Sequence, residues 1–130
     1  MYLKNAWYVA GWERDLDDGL LARTICEEPI VLFRCENGKV GALEDRCCHR
    51  SAPLSFGRLK NNEVECGYHG LRFDKTGQCT AIPTQKLVPP GAKVRSYPAL
   101  IKNRWIWIWM GDVNKADKEQ IPNYFFDIYI

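Results

Sequence analysis

The sequence predicts an all-β protein, arranged as a small antiparallel sandwich or barrel. Short runs rich in apolar and β-branched residues recur along the 130 residues of the chain. Turn sequences that contain Gly, Asn, Asp or Pro separate these runs at regular intervals. Helical patterning is confined to NKADKEQI (114–121), where it extends for about two turns.

The first part of the chain contains four predicted strands. Their ranges are 21–26 (LARTIC), 29–35 (PIVLFRC), 39–45 (KVGALED) and 63–66 (EVEC). The sequence ENGK (36–39) predicts a hairpin turn between the second and the third of these strands. LRFDKTGQCTAI (71–82) predicts another hairpin, which turns on Asp74 to Gly77.

The second part begins with IPTQKLVPPG (82–91), which predicts a proline-rich loop. Residues 93–111 then predict a strand, a break at Pro98, a second strand, a tight turn at Asn103–Arg104 and a third strand. In this third strand WIWIWM (105–110) alternates, so its three Trp residues share one face and its Ile and Met residues the other. The Ile face is predicted to be core. The Trp face is either core or a docking surface for another domain or subunit.

The composition is that of a globular protein, with 46% hydrophobic and 26% charged residues. A net charge of +2 argues against binding to nucleic acid through bulk charge. No apolar run approaches the roughly 20 residues of a membrane span, and the N-terminus lacks the layout of a signal peptide. A cytoplasmic location is therefore predicted, with the six cysteines as thiols rather than disulfides.

The two histidines of the chain each follow a cysteine closely. Cys47 and His49 form C-x-H, Cys66 and His69 form C-x-x-H, and sixteen residues separate His49 from Cys66. Both pairs are predicted to lie in loops that follow strands. Two thiolates and two imidazoles together make four metal ligands, so these residues are the candidate metal site.

Three kinds of metal centre compete for this ligand set. Zinc accepts two Cys and two His, although zinc fingers usually pair Cys with Cys and His with His. Blue copper takes two His and one Cys, which leaves the second cysteine without a role. A [2Fe–2S] centre in which two His replace two Cys on one iron explains why each loop carries one residue of each type.

Five motifs in order resemble the N-terminal domain of Rieske non-haem iron oxygenases, near the vanillate O-demethylase and toluenesulfonate methyl-monooxygenase subunits. They are NAWYVAGW (5–12), RCCHRSAPLSFGRL (46–59), CGYHGLRFDKTGQC (66–79), IPTQ (82–85) and NRWIWIWMGD (103–112). The resemblance implies a Rieske-type antiparallel β-sandwich with a small cluster-binding subdomain. It implies that Cys47 and Cys66 bind one iron of a [2Fe–2S] cluster, and His49 and His69 the other. Most relatives have Pro where this chain has Cys48.

The resemblance also implies a role in electron transfer, in an oxidoreductase of the monooxygenase or O-demethylase type that acts on aromatic compounds. The expected partners are a reductase or ferredoxin as donor, a catalytic domain and neighbouring oxygenase subunits. Both histidines are committed to the cluster, so the mononuclear Fe(II) site is expected in a domain absent from this chain. Residues 1–115 are then the Rieske domain, and 116–130 are the start of a linker. The apolar tail (121–130) favours the interpretation that the chain is a fragment of a longer gene product. A free-standing Rieske-type ferredoxin and a zinc-stabilised binding module are the alternatives.

Arginines are frequent around the two Cys/His pairs. They are Arg46, Arg50, Arg58 and Arg72. Two interpretations are open: an ordinary solvated surface, or a basic rim that steers an acidic electron donor.

Overall fold

The computed structural model describes residues 3–48 and 52–122, and it contains ten β-strands in that part of the chain. The strands are β1 (Ala6–Trp12), β2 (Leu21–Ile25), β3 (Glu28–Arg34), β4 (Val40–Glu44), β5 (Arg58–Lys60), β6 (Glu63–Glu65), β7 (Arg72–Phe73), β8 (Cys79–Ala81), β9 (Ala99–Lys102) and β10 (Trp105–Met110). They form three antiparallel sheets, ordered β1-β10-β9, β2-β3-β4 and β5-β6-β7-β8. The predicted all-β antiparallel sandwich is confirmed.

The sheet β2-β3-β4 lies between the other two, because β3 is apolar on both faces. Ile30 and Leu32 point into one core, which we call the base core, together with Ile106, Ile108 and other residues of the β1-β10-β9 sheet. Val31 and Phe33 alternate with them and point into a second core, which we call the loop-side core. The loop-side core contains β6, β7 and β8 residues and the starts of both Cys/His loops.

In three of the hairpins a two-residue turn joins the two strands, and both residues of each turn have positive φ. Asn61–Asn62 connects β5 to β6, and Asn103–Arg104 connects β9 to β10, as the sequence predicts for the latter. Cys26–Glu27 connects β2 to β3 with φ values of 52° and 65°. Neither residue of this last turn has the short amide side chain or the missing Cβ that favours such φ values.

The Trp face of β10 is covered by the chain itself. Trp107 and Trp109 are 5% and 2% exposed. The segment after β10 crosses this side of the sheet: the indole of Trp109 donates to the Asp112 carbonyl at 2.8 Å, and that of Trp7 to the Asp117 carbonyl at 2.9 Å. Core packing is therefore the correct interpretation for these two Trp residues.

Two sequence-based assignments are wrong. Residues 114–121 form two separate 3₁₀ turns, Val113–Lys115 and Lys118–Gln120, instead of a helix. The carboxylates of Asp112 and Asp117 each accept a backbone N–H two residues later, which starts a turn but does not propagate one. The predicted strand before Pro98 makes only isolated bridges, such as Leu43 with Ser96.

Two segments that pair as strands in the structure, β1 and β5, were not predicted to be strands. Among residues 3–48 and 52–122, no helix has the length and apolarity needed to cross a membrane. Of the predicted apolar tail (121–130), Ile121 is buried, and residues 123–130 lie outside the described part of the chain.

Candidate metal centre

The first Cys/His loop begins directly after β4, as the sequence predicts. Cys47 is 2% exposed, and its N–H donates to the Ala52 carbonyl at 2.8 Å. Asp45 closes the base of the loop, because its carboxylate accepts the backbone N–H of Ser55 at 2.7 Å and the hydroxyl of Ser55 at 2.6 Å. The backbone is thereby folded back on itself with the Cys47 side chain directed inward.

The second loop begins directly after β6 and is closed by its own backbone. The Cys66 N–H donates to the Leu71 carbonyl at 2.7 Å, and the Gly70 N–H donates to the Cys66 carbonyl at 3.0 Å. Gly70 has φ of +77°, a conformation that L side chains rarely adopt. His69 is exposed, and its ring meets that of Tyr68 edge to face with centroids 4.1 Å apart.

Glycines allow the two loops to touch. A Cβ on Gly57, at the end of the first loop, would lie 1.8 Å from the Glu65 carbonyl oxygen. A Cβ on Gly67, in the second loop, would lie 3.1 Å from the Phe56 carbonyl oxygen and 3.4 Å from the Gly57 Cα. Any side chain at Gly57 would therefore force the loops apart.

The proline-rich loop (82–91) contacts the second loop. The Pro83 ring carbon Cγ lies 3.1 Å from the position that a Cβ would take on Gly70. A third loop thus packs beside the turn that carries His69.

The six cysteines, all of them described, differ in burial. Four are buried in the loop-side core, Cys26 is partly buried and Cys48 is exposed; the buried ones are Cys35, Cys47, Cys66 and Cys79. No two of the six cysteines form a disulfide. Burial raises the pKa of Cys79, and its thiol donates to the Ala81 carbonyl at 3.5 Å.

The charges beside the second loop are organised around Glu65. Its two carboxylate oxygens accept from Arg58 Nε at 2.8 Å and from Arg72 Nε at 3.1 Å. The Arg58 guanidinium, followed by Arg72, lowers the pKa of Glu65. Two of the four arginines of the predicted rim are therefore paired. Arg46 is exposed, and Arg50 lies outside the described residues.

Two residues that shape the Cys/His loops escaped the sequence analysis, Asp45 and Glu65. Asp45 stands two positions before Cys47, and Glu65 stands one position before Cys66. An acidic residue just before each Cys/His pair was the available signal. It was not decisive alone, because most acidic side chains at strand ends are simply solvated.

The structure describes three of the four predicted ligands. Cys47 and Cys66 are buried in the same core, and His69 is exposed on the second loop. His49 lies outside residues 3–48 and 52–122. Within those residues, no three His, Cys, Asp or Glu side chains converge closely enough to hold a single metal ion.

Comparison with known families identifies the domain. Residues 6–98 match the family model of the Rieske [2Fe-2S] domain. The chain belongs to this family. A Rieske cluster takes two protein ligands at each iron, so the arrangement of the described residues, with thiols from two touching loops, fits it.

The relatives include the toluene-4-sulfonate monooxygenase system iron-sulfur subunit of Comamonas testosteroni. It is 47% identical over 127 residues, which are 97% of this chain and 37% of that protein. The dicamba O-demethylase oxygenase component of Stenotrophomonas maltophilia is 44% identical over 95% of this chain and 37% of its own length. The Rieske chain thus spans little more than a third of these relatives, and its resemblance to oxygenase subunits is confirmed.

Solved structures agree with the fold. The crystal structure of apo dicamba monooxygenase superposes with a TM-score of 0.90 at 44% identity, over 95% of this chain and 38% of that one. Another structure of that enzyme contains non-heme iron and dicamba, and superposes with a TM-score of 0.89. The Rieske-type sandwich with a loop-side subdomain is therefore the correct architecture.

Proposed function

We propose that this chain transfers electrons within a Rieske oxygenase, with Cys47 and Cys66 binding one iron of the cluster and His49 and His69 the other. When bound, the cluster supplies one-electron redox chemistry. The observation that supports this function best is the contact between two loops, each of which carries one Cys and one His in its sequence. Both Cys side chains are buried, while His69 is exposed.

The loops divide the tasks of protecting the site and presenting it. The buried thiols are shielded from water by the loop-side core, which lowers the local dielectric around the ligands. At the tip, Phe56 and Tyr68 are 83% and 61% exposed, and both line a shallow cavity of about 230 Å³. Two exposed aromatic residues, of which Tyr68 packs against the His69 ring, suit contact with an electron-transfer partner.

The ligand assignment is tested by matched cysteine variants. Cys47→Ser and Cys66→Ser should abolish the visible absorption and the electron paramagnetic resonance signal of the reduced cluster. Cys48→Ser is the matched control: it changes an exposed neighbour of Cys47 and should keep both signals. A protein that binds zinc and shows neither signal would contradict the proposal, as would loss of the cluster in the control alone.

The histidine ligands are tested by the reduction potential. His69→Cys should retain iron and lower the potential, because a thiolate adds negative charge that disfavours the reduced state. A potential equal to that of the unmodified protein would remove His69 from the ligand set.

We further propose that the complete protein is a monooxygenase or O-demethylase of an aromatic compound, located in the cytoplasm. Its mononuclear iron would lie in a catalytic domain beyond residues 1–115, with 116–130 starting the linker. The chain alone should then cycle its cluster with a reductase but consume no oxygen coupled to substrate. Substrate-coupled turnover by the 130-residue chain would contradict the proposal that the mononuclear iron lies in another domain.

The donor is proposed to be a reductase or ferredoxin with an acidic docking face. Arg46 is exposed, and Arg58 keeps 68% of its side chain exposed although it pairs with Glu65. Arg46→Glu should slow reduction by the donor, and the defect should shrink as ionic strength rises. Lys115→Glu, at an exposed position after β10, is the charge-matched control. Equal reduction rates for the two variants would show that Arg46 does not take part in docking the donor.

A further inference from the structure

We propose that Glu65 is a positioning residue for the metal centre: its carboxylate, shared by Arg58 and Arg72, fixes the two ligand loops relative to each other and keeps a negative charge beside Cys66. We call these three residues the Glu65 triad. The inference rests on the proposed function, since it takes Cys66 to be a cluster ligand.

The Glu65 triad forms one row across three adjacent strands. Arg58 on β5 is the direct register partner of Glu65 on β6, and Glu65 is the direct partner of Arg72 on β7. Side chains at directly opposed positions of antiparallel strands lie on the same face and within contact distance. The carboxylate therefore lies between two guanidinium groups, one on each side, and gives one oxygen to each.

Each member of the triad stands where a ligand loop meets the sheet. Arg58 directly follows Gly57, where the first loop ends. Glu65 directly precedes Cys66, and Arg72 directly follows Leu71, whose carbonyl accepts the Cys66 N–H. A displacement of either loop would therefore break a contact of the triad.

Glu65 contacts the first loop through its backbone as well. Its carbonyl oxygen is the atom that leaves no room for a Cβ on Gly57. The same residue thus connects the loops twice, by close backbone packing and by the shared carboxylate.

The partial shielding of the Glu65 side chain distinguishes this triad from an ordinary surface ion pair. The Glu65 side chain is 15% exposed, whereas the arginines are 68% and 31% exposed. Isolated exposed pairs contribute little, but an acceptor that is mostly shielded and bonded at both oxygens is held in one position. Loss of the Glu65 carboxylate would leave the positive charges of Arg58 and Arg72 on either side of β6 with no anion between them.

Charge gives the triad a second effect, on reduction. Reduction adds one electron, and therefore one negative charge, to the site beside Cys66. The Glu65 carboxylate opposes that addition, and Arg58 and Arg72 favour it. Removing the anion should raise the reduction potential, and removing one cation should lower it.

The test uses the 130-residue protein with its cluster and four variants, Glu65→Gln, Glu65→Asp, Arg58→Gln and Glu63→Gln. Glu63→Gln is the matched control, because Glu63 lies on the same strand and the same face as Glu65 and carries the same charge. Unlike Glu65, it forms no ion pair with another of the described residues. Two quantities are measured: the half-life of the visible cluster absorption in the presence of an iron chelator, and the reduction potential.

Glu65→Gln and Arg58→Gln should each shorten the half-life, by at least about tenfold for Glu65→Gln, the factor expected from one lost charge-assisted hydrogen bond. Their potentials should move in opposite directions, upward for Glu65→Gln and downward for Arg58→Gln. Glu65→Asp should keep the parental potential while shortening the half-life, because the shorter side chain retains the charge but cannot reach both arginines.

A purely structural role would not produce potential shifts of opposite sign. If Glu65→Gln matches Glu63→Gln in both quantities, the inference is overturned while the proposed function stands. If Glu65→Gln fails to fold, parental half-life and potential in Arg58→Gln would overturn the inference. A parent protein with no cluster absorption would instead refute the proposed function itself.

Discussion

The base core and the loop-side core share one strand, β3, but they differ in the types of side chain that fill them. The base core is filled by aliphatic side chains from two sheets, with Ile30, Leu32, Ile106 and Ile108 all 0% exposed. The loop-side core contains four buried cysteines and is bordered by glycines in close backbone contact. The base core is therefore stabilised by hydrocarbon packing alone, whereas the loop-side core combines hydrocarbon packing with buried thiols that the proposed function assigns in part to a cluster.

The largest expected effect comes from closing the gap between the loops. Gly57→Ala places a Cβ 1.8 Å from the Glu65 carbonyl oxygen, so the loops must separate. We expect loss of the cluster and a destabilisation of about 4–5 kcal/mol or more, measured by visible absorption and thermal unfolding. Gly91→Ala is the control, because no atom lies within 4 Å of the position of its Cβ. A stable Gly57→Ala protein with a full cluster would show that the loops do not need this contact.

A cavity in the base core should destabilise the domain without changing the metal site. Ile108→Ala removes a fully buried side chain from β10 and should lower the free energy of unfolding by about 2–5 kcal/mol. The cluster content of the folded protein and its reduction potential should equal those of the parent. A changed potential would mean that the two cores are not independent.

The third prediction concerns pH and the ion pairs of the base region. Burial alone would raise the pKa of Glu28, but hydrogen bonds from Lys4 and Tyr97 outweigh it and lower the pKa below its ordinary value of 4.5. The stabilisation is thus present above pH 4.5 and is lost as pH falls through the lower, folded-state pKa.

Glu28→Gln should therefore lower stability by about 1 kcal/mol at pH 7, with the difference from the parent vanishing in acid. Urea unfolding at several pH values measures it, with Glu27→Gln, the exposed neighbour, as control. A difference that stayed constant down to pH 3 would rule out ionisation of Glu28 as its cause.

The smallest effect is expected at the hairpin turns. Glu27→Gly should stabilise the protein by roughly 0.5 kcal/mol, because Glu27 has φ of 65° and glycine adopts this conformation without a Cβ penalty. Asn62→Gly, at the equivalent position of the β5–β6 turn, should gain less, since Asn already tolerates φ of 68°. Thermal unfolding of the two variants compares the base and loop-side regions directly. A larger gain at Asn62 would contradict this explanation of turn strain.

The sequence predicted the parts of this molecule that depend on local chemistry. The Asn103–Arg104 turn, the hairpin on Asp74 to Gly77 and the alternation of WIWIWM all follow from residue type and spacing. The two Cys/His spacings identified the kind of centre for the same reason.

Features that depend on partners distant in the sequence were harder to predict from the sequence alone. β1 became a strand because it pairs with β10, Ala6 opposite Met110, which no local pattern reveals. The helix assigned to 114–121 failed because Asp112 and Asp117 bind nearby backbone N–H groups. The role of Glu65 emerged only once β5, β6 and β7 placed two arginines beside it.

The pairing of β1 with β10 also has a consequence for the order of folding. The strands β5 to β8 follow one another along the chain and pair only with their neighbours, so their loops close over short distances. The β1-β10 pairing must instead join the N-terminal strand to one about a hundred residues later, which is entropically slow. During synthesis from the N-terminus, both Cys/His loops leave the ribosome before β10 does. The proposed metal site can therefore assemble while the base of the domain is still open.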